Sequence, residues 1–136
     1  MSDIVLYDYW RSSASYRVRI ALNLLGLPYG ARQINLLTGD HLSQDYLSLN
    51  PQGILPSSKI DGQTLTQSLA IIEYLHATVP GSTLLPADLL DQARVRQLSY
   101  AVAMEIHPVC NLHVAKHVVD LTQGGDDARV TWMQHF

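Results

Sequence analysis

Cysteine is almost missing from this chain: Cys110 is the only one in 136 residues. With no partner for a disulfide and no thiolate cluster to hold zinc, a disulfide framework is excluded, and the composition fits a reducing cytoplasm. Charge is scarce too, at 15% of residues against about 25% in ordinary soluble domains. Nine Lys and Arg against twelve Asp and Glu leave a net charge of -3 and no basic run to neutralise a row of phosphates, so nucleic acid is excluded as a partner. No apolar stretch approaches the ~20 residues of a membrane span. The amino-terminal Met1-Ser2-Asp3 puts an acid where a signal peptide needs positive charge, so no membrane partner is expected. Apolar residues, by contrast, make up 47% of the chain. That excludes disorder, and with so little charge some apolar surface is expected to be covered by a partner. The length suits one domain, or two small ones, with a real core.

Residues 4–9 are rich in Ile, Val, Leu and Tyr with little alternation, which reads as a short strand buried on both faces. Serines at 12, 13 and 15 offer N-caps for a helix whose apolar stripe is Val18, Ala21, Leu22 and Leu25, ended by Gly26 and Pro28. A second strand is expected over residues 29–36, then a turn at Thr38-Gly39-Asp40 and a short helical patch over 43–47. Asn50-Pro51-Gln52-Gly53 has the composition of a type I turn, and Leu55-Pro56 follows it. Strands over 57–60 and 63–65 flank Asp61-Gly62, the strongest short-range hairpin signal. Gln67-Ser68 opens a helix carrying Leu69, Ile71, Ile72 and Leu75, which Pro80-Gly81 ends.

The order β-α-β-α-β-β-α is a thioredoxin-like α/β layout, drawn over residues 1–80. A Pro/Gly/Ser-rich linker follows over 81–87, and an all-α domain over 88–136. One long helical region is expected over 88–121 with a kink at Pro108, and a new helix from Asp126. That last helix has only about ten residues, and isolated helices under ~12 residues are marginal. The helical domain is therefore expected to be incomplete.

Three loops of the first domain carry chemistry, each with a plainer alternative. Ser12 and Ser13 stand at a strand-to-helix junction, where free N–H groups and the helix dipole favour an anion such as a thiolate; equally, they are N-caps. Leu55-Pro56, if cis, leaves the Leu55 backbone free to pair with an extended peptide; a trans turn proline is the alternative. Gln67-Ser68 offers an amide, a hydroxyl and helix-start N–H groups able to hold an α-carboxylate, or again a cap.

The blocks that carry these loops are Ser12-Ser13-Ala14-Ser15-Tyr16-Arg17-Val18-Arg19-Ile20-Ala21-Leu22, Asn50-Pro51-Gln52-Gly53-Ile54-Leu55-Pro56, and Asp61-Gly62 leading to Gln67-Ser68-Leu69-Ala70-Ile71-Ile72-Glu73-Tyr74-Leu75. In order and spacing, and with Leu84-Leu85-Pro86 and Asn111-Leu112 beyond them, they resemble the zeta-class glutathione transferases over nearly all of residues 3–136. The resemblance implies glutathione as cofactor and cis-trans isomerisation of maleylacetoacetate or maleylpyruvate, a maleyl-type dicarboxylate substrate, during aromatic (including tyrosine) degradation. It assigns catalysis to Ser12, helped by Ser13. It assigns glutathione binding to Ser12, His41, Leu55, Gln67 and Ser68 and, in the helical half, to His107, Asn111 and His113, of which Asn111 and His113 match cleft-facing positions and His107 lies one to two turns earlier on the same helix. It also implies a homodimer.

Departures from the family pattern are specific. Ala14 stands where many members have Cys, which removes any contribution of that thiol. Ser57-Ser58 replaces an apolar strand start, with an expected loss of core area. The helices that cover the acceptor pocket in longer members, and the arginine they supply for substrate carboxylate, have no counterpart in these residues. Arg17 and Arg19 could attract carboxylates, although solvated or ion-paired positions are the commoner fate. Two alternatives within reach are a general glutathione transferase acting on electrophiles or peroxides, and a noncatalytic glutathione-binding or dimerising module. A metal site at His113, His117 and Asp120 is not expected, because Val114 stands where a zinc protease has Glu. Tyr7, Tyr9, Tyr16 and Met104 are read as core packing.

Overall fold

The structure, a computed structural model, describes residues 3–136; Met1 and Ser2, two of the three amino-terminal residues read above, lie outside the described residues. The chain divides between Leu84 and Leu85 into two compact units.

The first unit runs β1 (Ile4–Asp8), α1 (Ser13–Leu24), β2 (Tyr29–Gln33), a 3-10 turn (Asp40–Leu42), α2 (Gln44–Leu49), β3 (Ser57–Ile60), β4 (Gln63–Thr66) and α3 (Ser68–Thr78). This is the thioredoxin-like α/β order. The sheet order is β2-β1-β3-β4, with β1 parallel to β2 and antiparallel to β3, and β4 antiparallel to β3. Leu6 and Ile4 of β1, Ile60 of β3, Val18, Ala21 and Leu22 of α1, and Ile71 and Leu75 of α3 form one apolar cluster. Local chemistry closes each element. Gly26, at φ +63°, ends α1 in a Schellman motif, with Leu27 N–H donating to Leu22 C=O (3.0 Å) and Gly26 N–H to Asn23 C=O (3.1 Å). Asp61 and Gly62, at φ +51° and +76°, make the paired left-handed turn a two-residue hairpin demands.

Several expectations need correction. β1 ends at Asp8 rather than at residue 9, because Ser12 N–H donates back to Tyr9 C=O (2.8 Å) and turns the chain. β2 ends at Gln33 rather than 36, because Asn35 opens a polar turn. There, the Asn35 side chain accepts from Leu37 N–H, and its own N–H donates to the Asp40 carboxylate. That backbone bond, with the Thr38 hydroxyl, holds the Asp40 carboxyl below its ordinary range. The loss of core area expected at Ser57 and Ser58 is offset, because both are fully buried and satisfied: Ser57 Oγ lies 2.9 Å from Tyr46 Oη, and Ser58 Oγ donates to Val5 C=O (3.2 Å). Tyr9 is buried as read, whereas Tyr16 and Met104 are exposed and pack no core.

The second unit contains α4 (Leu89–Tyr100), a π-helical segment (Ala101–Ile106), α5 (Leu112–Thr122) and α6 (Gly125–His135). Asp88 caps α4 by accepting Asp91 N–H (2.9 Å). The single helix expected over 88–121 is instead broken. His107 N–H reaches back five residues to Val102 C=O (2.9 Å), and Pro108, having no N–H, cannot continue the ladder, so residues 107–110 form a turn before α5. Trp132 of α6 donates to Val109 C=O (2.7 Å) and packs against Phe136 with ring centroids 5.3 Å apart and planes tilted by 60°. Among the described residues no helix is long and apolar enough to cross a membrane.

Candidate active site

Strand register collects the chemistry of the first unit at one end of the sheet. Tyr7 pairs with Ser57 and Ser57 with Thr66. The loop after β1, the loop before β3 and the start of α3 after β4 therefore meet at the same edge.

Ser12 closes the first of these. It is the N-cap of α1, its Oγ accepting Ser15 N–H at 3.1 Å while its C=O accepts Tyr16 N–H at 2.9 Å. The N-cap expectation is met: the hydroxyl oxygen caps the helix, which leaves the O–H proton available to donate outward. Ser13, exposed in the first helical turn, and buried Ala14 keep N–H groups with no intrahelical acceptor. An anion beside Ser12 would face those donors and the positive end of the helix.

The second loop is built by residues that sequence reasoning missed. Asn50, 1% exposed, accepts Gln52 N–H on its side-chain oxygen and donates from its amide to Ile54 C=O (2.8 Å). Tyr46 of α2 donates to the same carbonyl (2.7 Å), and burial raises its phenol above the ordinary 10.0. A Tyr eight residues before the carbonyl it holds is a signal only when the Asn-Pro turn is already known. Gly53, at φ +61°, is required here twice over: a Cβ would stand 3.2 Å from the Leu42 side chain and 3.3 Å from His41 C=O. His41 is thereby set beside this turn, with its Nδ1 buried and unpartnered. The Leu55-Pro56 bond is cis, and among the described residues the Leu55 N–H and C=O find no hydrogen-bond partner.

At the third element Gln67 takes φ +66°, a left-handed conformation that costs a non-glycine residue about 1 kcal/mol or more. Its C=O starts α3 by accepting Ile71 N–H (3.0 Å), and its amide donates to the Gln52 side chain (3.2 Å), tying α3 to the turn before Leu55. Ser68 begins the helix and is buried.

His107, Asn111 and His113 lie in the second unit. They do not share a helix as expected: His107 follows the π-helical segment, whereas Asn111 is the N-cap residue of α5 and His113 lies in its first turn. Asn111 Oδ1 and His113 Nδ1 are 3.1 Å apart. Asp120 is taken up by Lys116 at 2.6 Å.

Residues 6–83 match the family described as the glutathione S-transferase N-terminal domain. The chain belongs to that family. In sequence it is similar to the maleylacetoacetate isomerase of Rhizobium meliloti (strain 1021), 58% identical over 135 residues, covering 99% of this chain and 63% of that protein. It is also similar to the holo structure of maleyl pyruvate isomerase, a bacterial glutathione S-transferase of the zeta class, with a TM-score of 0.91 at 39% identity over 95% of this chain and 61% of that one. A maleylacetoacetate isomerase from Methylobacterium extorquens AM1, solved with malonate and glutathione bound, gives a TM-score of 0.90 at 38% identity, covering 96% and 62%. The chain spans about three fifths of the length of these relatives.

Proposed function

We propose that this glutathione S-transferase is a zeta-class isomerase that converts maleylacetoacetate or maleylpyruvate to the fumaryl product with glutathione as cofactor. The observation that carries the reading is the meeting, at one sheet edge, of a capping serine whose proton is free, a backbone at Leu55 with no partner, and a buried helix start at Ser68. These donors and acceptors fit a tripeptide with a thiol and two carboxylates. Similarity to the two isomerases supports the substrate class.

Ser12 donates its hydroxyl hydrogen toward the sulfur, and the unpaired N–H groups of Ser13 and Ala14 favour negative charge there. Lowering a thiol from about 8.5 to about 6.5 corresponds to roughly 2.7 kcal/mol. Leu55 pairs through its backbone with the cysteinyl part. Gln67 and Ser68 receive the γ-glutamyl end, and His41 the glycyl end. Glutathione, when bound, supplies a thiolate that adds to the conjugated cis double bond and leaves after rotation about it, so it is regenerated. Residues 1–80 are read as the glutathione-binding domain, 81–87 as a linker and 88–136 as part of an all-helical domain, whose His107, Asn111 and His113 are read as further glutathione-binding residues. A homodimer in the cytoplasm completes the reading, supported by the low charge and the single cysteine.

Maleylacetone isomerisation measured with and without glutathione, beside chlorodinitrobenzene conjugation, tests this directly. Isomerisation that requires glutathione is expected; conjugation alone would mark a general transferase, and neither activity a binding module. Ser12→Ala should lower the rate by about 10²-fold or more. Gel filtration tests the dimer.

A further inference from the structure

Asp8 closes β1 immediately before the loop that carries Ser12, and at 2% exposure its carboxylate is buried. Arg19, on the second turn of α1, approaches it from the other side of the junction, Nε to Oδ2 at 3.6 Å, an ion pair too long for a hydrogen bond. Asp8 Oδ1 and Arg19 Nε have no other partner among the described residues. The same guanidinium donates from Nη2 to Trp10 C=O at 3.2 Å and lies 4.8 Å from the centroid of the Tyr16 ring. One side chain therefore touches the end of β1, the middle of the loop and the first turns of α1. The loop between them has a single other internal backbone bond, Ser12 N–H to Tyr9 C=O. A surface ion pair would add little, but a buried carboxylate needs its cation, and a cation that also grips Trp10 C=O restricts where the next two residues stand.

We propose that Asp8 and Arg19 are a positioning pair for the thiolate site: they fix the Trp10-Arg11-Ser12 segment so that the Ser12 hydroxyl points at the glutathione sulfur. This rests on the reading of Ser12 given above. Neither residue touches glutathione; both act through the loop. Arg19→Lys keeps the charge opposite Asp8 but cannot reach Trp10 C=O with the same planar fork, so it separates charge pairing from loop anchoring.

The test is the thiolate ultraviolet absorbance that appears when glutathione is added to the full chain at neutral pH, measured beside glutathione affinity by calorimetry and fold by far-ultraviolet dichroism. Wild type should show the band and Ser12→Ala should lose it. Arg19→Gln and Asp8→Asn should remain folded and bind glutathione within a few-fold of wild type, with the band reduced severalfold because the hydroxyl no longer points at the sulfur; Arg19→Lys should fall between. A full band in folded Arg19→Gln overturns the inference. Should that single variant unfold through its unpaired buried carboxylate, Asp8→Asn/Arg19→Gln carries no lone charge. A full band there, or unfolding of every variant, overturns the positioning role. An unchanged band in Ser12→Ala sinks the underlying reading instead, and is told apart by that variant alone.

Discussion

The two units of this chain use their apolar residues in opposite ways. In the first, Leu6, Val18, Leu22, Ile60, Ile71 and Leu75 are almost completely buried in one cluster shared by sheet and helices. In the second, Ala115 is the only described apolar residue that is buried, while Leu98, Val102, Met104 and Leu121 remain more than half exposed. Some polar groups differ in the same way. Ser57 and Ser58 are buried and bonded to α2 and β1, whereas three described ion pairs of the second unit, Arg94–Asp91, Lys116–Asp120 and Arg129–Asp126, lie within single helices and in solvent. Contacts that join distant parts of a chain define a unique fold, and contacts within one helix define only that helix. The sheet and helices that carry the Ser12 loop are therefore specified jointly, and in the helices from residue 89 onward contacts within one helix carry more of the specification, beside the Trp132 to Val109 bond that ties α6 to the turn before α5.

That contrast is open to attack by mutation. Leu22→Ala should strike hardest, costing about 2–5 kcal/mol because it opens a cavity in the shared cluster; a denaturant midpoint unchanged from wild type would mean the first unit is not held as described. Tyr46→Phe leaves Ile54 C=O and Ser57 Oγ short of a partner, for about 1–3 kcal/mol. The same variant sharpens the comparison through pH. Burial raises the Tyr46 phenol, so the folded state holds its proton more tightly than the unfolded chain. Its contribution is fully present below the ordinary 10.0 and is lost as pH rises through the higher folded value. Urea titrations across that alkaline window should show a decline in wild type that is weaker in Tyr46→Phe. Gln67→Gly, relieving the left-handed backbone, should stabilise by about 0.5–1 kcal/mol, while calorimetry shows weaker glutathione binding from the lost side chain. Smallest of all, Leu98→Ala in the second unit should shift stability by less than about 0.5 kcal/mol; a large loss would show that this exposed residue is covered in solution.

Legibility in the sequence followed the range of the interaction. Gly26, Asp61-Gly62 and Ser43 act within a few residues of themselves, so the end of α1, the β3–β4 hairpin and the start of α2 could be read directly. The same holds for Ser12 as a cap. The break after α4 was misplaced because the residues of the π-helical segment have ordinary helical composition; only the Val102 to His107 bond and the missing Pro108 donor separate it from a continuous helix with a kink. The Tyr46–Ser57 and Asp8–Arg19 contacts span 11 residues each and leave no periodic trace. Ser57 and Ser58 illustrate the same limit, since their hydroxyls suggested lost packing until the partners supplied by α2 and β1 were in view.

Because β1 is the interior strand joining β2 to β3, its two sides are completed at different times during synthesis. β2 follows β1 after one helix, so a nascent chain leaving the ribosome can cover that side early. The other side waits for β3, whose Ser58 lies 53 residues beyond the Val5 carbonyl it will meet. Until then, the strand that leads into the Ser12 loop has one bare edge, which is the surface a chaperone would find to hold.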